Sequence, residues 1–339
     1  MARPAIVRGS HHLPNPQISA ACLRDNARQI QVLADDGTLL PSYRLPVHAD
    51  TLLRGPNGRL CIVADGKLSA LCIGNNRVHT DPLGRVPRAV RAIEHIGGGR
   101  CVLVSDGLRT SDGLRGAEVL LADIHSGCVR HSDHIGPRDN PQFIETGTLD
   151  GDPAVLVGVR TRAVFDDRVR LRPWIFAVDG VALRPVWLGT SFSRPFVAAV
   201  FCDCANGEGQ EICALELTRE RRRQIIAYRK RGLVVEGVAR SDIGPFGSQL
   251  RAIPQSSQEA EMLCVWTGGA TGRIVGMRAV KAPAHELAEL KPIAGTDLMR
   301  RPLAWDVGWM AAQPTVFVLD TKRGFHPHPL KRYNDLDER

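Results

Sequence analysis

One short pattern recurs along this chain: a proline or small residue, followed within two positions by an apolar residue that opens an extended run. It reads Asn140-Pro141-Gln142-Phe143, Arg194-Pro195-Phe196-Val197, Gly247-Ser248-Gln249-Leu250 and Arg301-Pro302-Leu303-Ala304. With Pro141, Pro195, Ser248 and Pro302 as markers, the intervals are 54, 53 and 54 residues. Looser copies, Asn15-Pro16-Gln17-Ile18, Val47-His48-Ala49-Asp50 and Val86-Pro87-Arg88-Ala89, set earlier markers near 16, 49 and 87, with intervals of 33, 38 and 54 residues. A unit of this size, built of a few short strands, cannot cover its own faces, and stacked copies cover one another. Seven such units predict an all-β chain folded as a seven-bladed β-propeller, a single domain over residues 1–339 with blades starting near 16, 49, 87, 141, 195, 248 and 302.

Within the units, apolar runs alternate with Gly, Asp and Asn turns. In the second, Thr51 to Arg54, Leu60 to Ala64 and Lys67 to Ile73 read as a meander whose Asp65-Gly66 turn supplies residues able to take positive φ. Gly97-Gly98-Gly99 reads as a turn between strands. The last unit, from about Arg301, is one strand short. Residues 3 to 8, apolar at Ala5-Ile6-Val7, are expected to supply the missing outer strand and close the ring, because closure removes an unpaired sheet edge. The segment from Lys331 to Arg339 reads as a surface terminus.

Composition narrows the class further. The chain is 43% hydrophobic, and no run approaches the ~18 consecutive apolar residues of a membrane-spanning helix. Met1 to Arg8 has charge but no apolar stretch behind it, so no secretory signal is read and a cytoplasmic location without membrane contact is expected. The nine cysteines are odd in number and mostly embedded in apolar runs, which suits buried reduced thiols better than a disulfide framework. The net charge of +8 points to an anionic small molecule or a protein partner, or else to a dispersed solubilising charge.

Two turns carry a resemblance. Asp150-Gly151-Asp152 precedes Ala154 to Gly158, and Asn206-Gly207-Glu208-Gly209 precedes Glu211 to Glu216. These resemble the Asp-x-Asp-Gly-Asp-Gly turns of FG-GAP/VCBS-type propellers. The resemblance covers about residues 140 to 240, and the remainder only by period. It implies a Ca²⁺-holding loop at Asp150 and Asp152 and another at Asp203, Asn206 and Glu208. The residues themselves read as Asx turns held by side-chain-to-backbone hydrogen bonds, with no metal or other cofactor.

The radial repeat also brings marker residues toward one channel mouth. Those at the markers are Gln17, His48, Arg88, Gln142, Arg194, Gln249 and Arg301, with Asp50, Arg91, Arg251 and Arg300 nearby. Of these, His48, Arg88, Gln142, Arg194, Gln249 and Arg301 are the expected ligand-binding set, a cationic funnel suited to carboxylate or phosphate. The competing reading is that they start strands and bond from blade to blade. Arg160 to Trp174 forms a second basic stretch in which Arg168, Arg170 and Arg172 would share a strand face, with Asp166 and Asp167 there to pair with them. The 5% aromatic content argues against nucleic acid as a partner. His11-His12 and His326-Pro327-His328 offer a zinc-like count but, with no acidic or thiol ligand spaced with them, read as surface pairs, and Cys202-Asp203-Cys204 reads either as a metal half-site or as core. No nucleophile elbow, phosphate loop or zinc-protease motif occurs. The expected function is therefore a non-catalytic ligand- or protein-binding scaffold with a cationic mouth. The alternative is a lyase or hydrolase acting on an anionic substrate, with His48 and Asp50 as its acid–base pair.

Overall fold

Runs such as Leu60-Cys61-Ile62-Val63-Ala64 are apolar at every position, which suits a strand covered on both faces. In the computed structural model that strand is buried along its whole length. Leu60 and Ile62 enter a core with Ala21, Ile30 and Val32, while Cys61 and Val63 enter another with Val90, Ile93 and Leu103. Successive side chains of a strand leave on opposite faces. One strand therefore feeds two cores, and its sheet is covered by the sheets before and after it in the chain. The structure describes all residues except 1–5, 9–17, 25–27, 35, 37, 55–59, 75–76, 87–89, 98, 106–107, 111–112, 116–117, 124–125, 127, 181, 206–208, 233, 245–246, 254–260, 269–271, 281–286, 299–301, 303, 311–312, 321–323 and 333–339.

Two compact units emerge. The first comprises Met1–Ile144, Val178–Arg184 and Pro302–His328. Its first sheet holds Ile6–Arg8, Ile18–Arg24, Gln29–Ala34 and Tyr43–Arg44; its second holds Thr51–Arg54, Leu60–Ala64, Lys67–Gly74 and Arg77–Arg85. A third contains Val90–Gly97, Arg100–Ser105, Val119–Asp123 and Cys128–His131, with a small hairpin, Leu108–Thr110 and Gly113–Arg115, inserted. The sheet of Ala304–Met310, Gln313–Asp320 and Gly324–Pro329 lies against the first through Cys22, Leu33, Phe317, Leu319 and Phe325.

The second unit comprises Glu145–Ala177, Pro185–Arg301 and Pro329–Arg339. It takes in most of the meander Pro141–Leu149, Asp152–Ala163, Asp166–Asp179 and Ala182–Leu188. Two further meanders follow, Phe196–Cys202, Glu211–Leu217, Arg223–Arg231, Val234–Gly244 and then Gly247–Ile253, Met262–Gly268, Gly272–Val280, Ala288–Leu298. They meet edge to edge through the parallel pairs Ala239↔Ala288 and Arg240↔Glu289, and enclose a core that includes Leu215, Ile225, Leu250 and Leu263. Lys331–Arg332, read from sequence as part of a surface terminus, is exposed and adds antiparallel to Ala294 and Gly295.

The sequence markers sit within three residues of strand starts at Ile18, Thr51, Val90, Pro141, Phe196, Gly247 and Ala304. The Asp-Gly turns behave as expected: Asp65-Gly66 has φ of 47° and 71°, and Asp150-Gly151 has 54° and 87°. Both are two-residue hairpin turns with positive φ at each centre, the geometry that matches strand twist. Eight described cysteines are free thiols, seven of them buried.

The N-terminal strand corrects the expected closure. Ile6–Arg8 pairs Ile6↔Cys22, Val7↔Ala21 and Arg8↔Ala20 within the first sheet, and does not extend the three-stranded sheet that begins at Ala304. The marker near 16 thus announces the second strand of its sheet, whereas the later markers announce the first. The nine residues 9–17 tether this strand to Ile18–Arg24, its neighbour in sequence, and strands adjacent in the chain usually pair.

Candidate functional site

Asp152–Ala163 and Asp166–Asp179 are the two longest described strands, of 12 and 14 residues. Their apolar parts, Ala154 to Val159 and Ile175 to Phe176, are buried in the sheet. From Arg160 to Leu171 no residue is buried, so this end of the hairpin reaches beyond the core. Its two-residue turn is Val164-Phe165, and each of these side chains is 93% exposed. Single exposed apolar residues are ordinary. A contiguous pair at a projecting tip, with Val169 also exposed nearby, is an uncovered apolar surface that docking would bury, and fully burying each such side chain is worth about 1.5–3 kcal/mol.

The tip is held by one buried cation. The register runs regularly through Val159↔Arg172, Arg160↔Leu171 and Thr161↔Arg170, then shifts before Ala163↔Asp166. Such a bulge leaves backbone carbonyls without ladder partners. The Arg172 side chain, 1% exposed, collects them. Its Nε donates to Thr161 O at 2.8 Å and its Nη1 to Thr190 O at 2.6 Å. Its Nη2 donates to Asp166 O at 3.0 Å, Asp166 Oδ2 at 3.3 Å and Arg168 O at 2.9 Å. Partial burial pulls the Asp166 carboxyl up. The Arg168 amide and the Arg170 and Arg172 guanidiniums outweigh that, and hold it below the usual carboxylate value. Arg160, Arg162 and Arg168 remain exposed around the apolar tip. The shared arginine face read from sequence is thus divided. Arg172 is an internal pin, Arg170 pairs with Asp166 at 3.5 Å, and Arg168 is exposed.

The marker residues have other surroundings. In the first unit His48 is exposed, while Asp50 is half-buried and its Oδ2 accepts the Asp65 amide at 3.1 Å, bracing the Asp65-Gly66 turn. Gln142 turns back on its neighbour, donating to Asn140 O and Oδ1 at 2.9 Å each. In the second unit Gln249 and Arg194 are exposed. The residues beside the Pro195 marker are anchored by Glu216, which is fully buried. Its carboxylate accepts Tyr228 Oη at 2.5 Å, Ser193 Oγ at 2.9 Å, Gln224 Nε2 at 2.9 Å and the Arg194 amide at 3.4 Å. Burial, and then the Glu216 bond, push the Tyr228 hydroxyl above its ordinary value. Arg88, Arg300, Arg301 and Gln17 lie outside the described residues, as does the side chain of Arg91.

At the calcium-like turns, Asp150 occupies a hairpin turn and its Oδ2 meets Lys230 Nζ at 3.3 Å; Asp152 is exposed and begins a strand. The Asp203 amide donates to Glu261 Oε2, and those of Cys204 and Ala205 to Glu211 Oε2 at 3.2 Å each. This segment therefore points N–H groups at the buried Glu211 and half-buried Glu261 carboxylates. Asn206 and Glu208 lie outside the described residues. Cys202 and Cys204 both face the core, with Cys204 Sγ 3.3 Å from Cys213 Sγ. His326 and His328 are half-buried with ring centres 4.7 Å apart, and His11 and His12 lie outside the described residues.

Comparison with protein-family models finds no match. No curated protein matches either. Solved structures do. BBS1N, in a crystal structure in complex with ARL6DN soaked with lead, superposes with a TM-score of 0.55 at 12% identity, over 98% of this chain and 94% of that one. The Dos1 propeller superposes with a TM-score of 0.54 at 10% identity, over 93% of this chain and 78% of that one. At such identities the likeness is one of fold: this is an all-β chain with a β-propeller fold. Among the described residues, no helix is long and apolar enough to cross a membrane.

Proposed function

We propose that this chain is a non-catalytic interaction module that grips a protein partner with the Val164-Phe165 tip. In this reading its repeats form one seven-bladed ring, closed where the sheet beginning at Ala304 lies on the first. The observation that carries the proposal is the pairing of two fully presented apolar side chains with a buried Arg172 that fixes their support. An aromatic anchor whose backbone is already ordered forfeits little entropy on docking, which is what makes a binding hot spot. The exposed Arg160, Arg162 and Arg168 select a partner with an apolar socket and an acidic rim, and this keeps the expectation of an anionic partner while moving it from a channel mouth to a hairpin. BBS1N, a structural neighbour, was crystallised in complex with a protein, ARL6DN, so this architecture supports protein recognition elsewhere.

The test is capture of partners from cell extract by the tagged chain, with Phe165→Ser compared against Val234→Ser, a control at another exposed valine (62%). The tip reading expects a captured protein that Val234→Ser retains and Phe165→Ser binds about thirtyfold more weakly, as losing a 2 kcal/mol anchor implies. Equal capture by both variants would remove the tip from the account.

A further inference from the structure

We propose that Cys72, His79 and Asp81 form a zinc-binding site on the second sheet, independent of the hairpin tip. The strands Lys67–Gly74 and Arg77–Arg85 run antiparallel, with Cys72 opposite His79 and Ala70 opposite Asp81. Directly opposed residues share a sheet face, as do residues two apart on one strand. The backbone ladder therefore puts all three side chains on one face. Their ligand atoms, one sulfur, one imidazole nitrogen and one carboxylate oxygen, lie within 4.8 Å of one another. Cys72 Sγ already donates to Asp81 Oδ2 at 3.0 Å.

A tetrahedral zinc ion, with sulfur at about 2.3 Å and nitrogen or oxygen at about 2.0–2.2 Å, needs its ligand atoms roughly 3.3–3.6 Å apart. Closing from the observed spacing requires only side-chain rotation. His79 and Asp81 are exposed, while Cys72 is half-buried on its strand. The chemical mixture selects the metal: calcium and magnesium demand oxygen, whereas a thiolate with an imidazole and a carboxylate suits zinc. Farther along the same face, Ala70 and Leu68 enter a dry core with Cys61 and Val63. The site thus sits at the rim of an apolar floor, where charge attraction is less screened. On binding, the Cys72 thiol gives its proton to solvent, an S–Zn bond replaces the S–H bond, and Asp81 Oδ2 exchanges a hydrogen bond for the metal. Three protein ligands leave the fourth position to water or to a group brought by another molecule.

Cobalt(II) tests this in the full chain, because a thiolate ligand gives it a charge-transfer absorption in the near ultraviolet that the free ion lacks. Chelator-treated protein should develop that band to one equivalent, and zinc should abolish it. Cys72→Ser should lack the band, and His79→Ala should bind about tenfold more weakly or worse, since even the outer partners of metal ligands are worth that much. Zinc should raise the melting temperature of the parent, less that of His79→Ala and not that of Cys72→Ser, while all three should melt alike without metal. No band at one equivalent, or a band of equal strength in Cys72→Ser, would overturn the assignment.

Discussion

Replacing Arg172 by methionine keeps most of the side chain's length and removes its charge. The guanidinium donates five hydrogen bonds, to Thr161 O, Thr190 O, Asp166 O and Oδ2, and Arg168 O, from a position 1% exposed. A charged hydrogen bond contributes about 1.5–3 kcal/mol, but these five share one group and do not add. The better guide is the loss of one partner from a buried ionic cluster, at about 3–5 kcal/mol. Water reaching the exposed tip will rescue some of the stranded carbonyls, so we place the loss near 3 kcal/mol. Arg170→Ala is the control. It removes an ion pair at 3.5 Å whose two side chains are 33% and 24% exposed, and it should cost under about 1 kcal/mol. Urea unfolding gives the stability difference, and hydrogen exchange across residues 160–172 locates it. Arg172→Met should lose protection in this segment first, and should also lose partner capture though Phe165 is intact. A variant within 1 kcal/mol of the parent, with unchanged exchange at the tip, would refute the role of Arg172 as a pin.

Three further outcomes are expected. Glu216→Gln leaves Tyr228 Oη, Ser193 Oγ and Gln224 Nε2 competing for a weaker acceptor in a fully buried place, and should destabilise the chain by about 2–3 kcal/mol in urea, more than Tyr228→Phe at about 1 kcal/mol. Burial first, and then neighbouring Cys61 and Glu94, push the Cys101 thiol up to about 12. Because the folded value lies above the unfolded value of about 8.5, stability is full below that pH and falls above it, so at pH 10 this one thiol should cost about 2 kcal/mol. Cys101→Ala should therefore lose about 2 kcal/mol less than the parent between pH 8 and pH 10, and parallel losses would contradict the assignment. Deleting residues 1–9 removes the edge strand Ile6–Arg8 from the first sheet and should lower the melting temperature by several degrees; an unchanged melt would mean that the pairing contributes nothing.

The repeat was legible in the sequence because blade entry has a chemical signature. Pro141 and Pro195 cannot donate to a ladder and so stand at or beside the first residue of a strand, and central strands such as Leu60–Ala64 are apolar throughout because both faces are covered. Ile6–Arg8 carries no such signature: three residues show no period, and their partner is the next strand in sequence. The tip was hidden for a related reason. The Asp65-Gly66 and Asp150-Gly151 hairpins announce themselves through residues that accept positive φ, but Val164-Phe165 makes its turn without Gly or Asn and carries no such mark. Arg172 looked like its neighbours Arg168 and Arg170 because its burial depends on a bulge and on Thr190 O, 18 residues away. One signal was present: the apolar triplet Ala163-Val164-Phe165 between Arg160-Thr161-Arg162 and Asp166-Asp167-Arg168 marks the centre of a charged hairpin. At the Pro195 marker, the contact is made by the backbone and within one meander: Glu216 accepts the Arg194 amide while the guanidinium stays exposed.

The central claim is tested most directly by replacing Phe165 with a photoreactive benzoyl-phenylalanine and irradiating living cells, alongside the same replacement at Val234. A discrete covalent adduct of the chain with another protein, formed at position 165 and absent at position 234, is the predicted result. No adduct at 165, or the same adducts from both positions, would contradict the account.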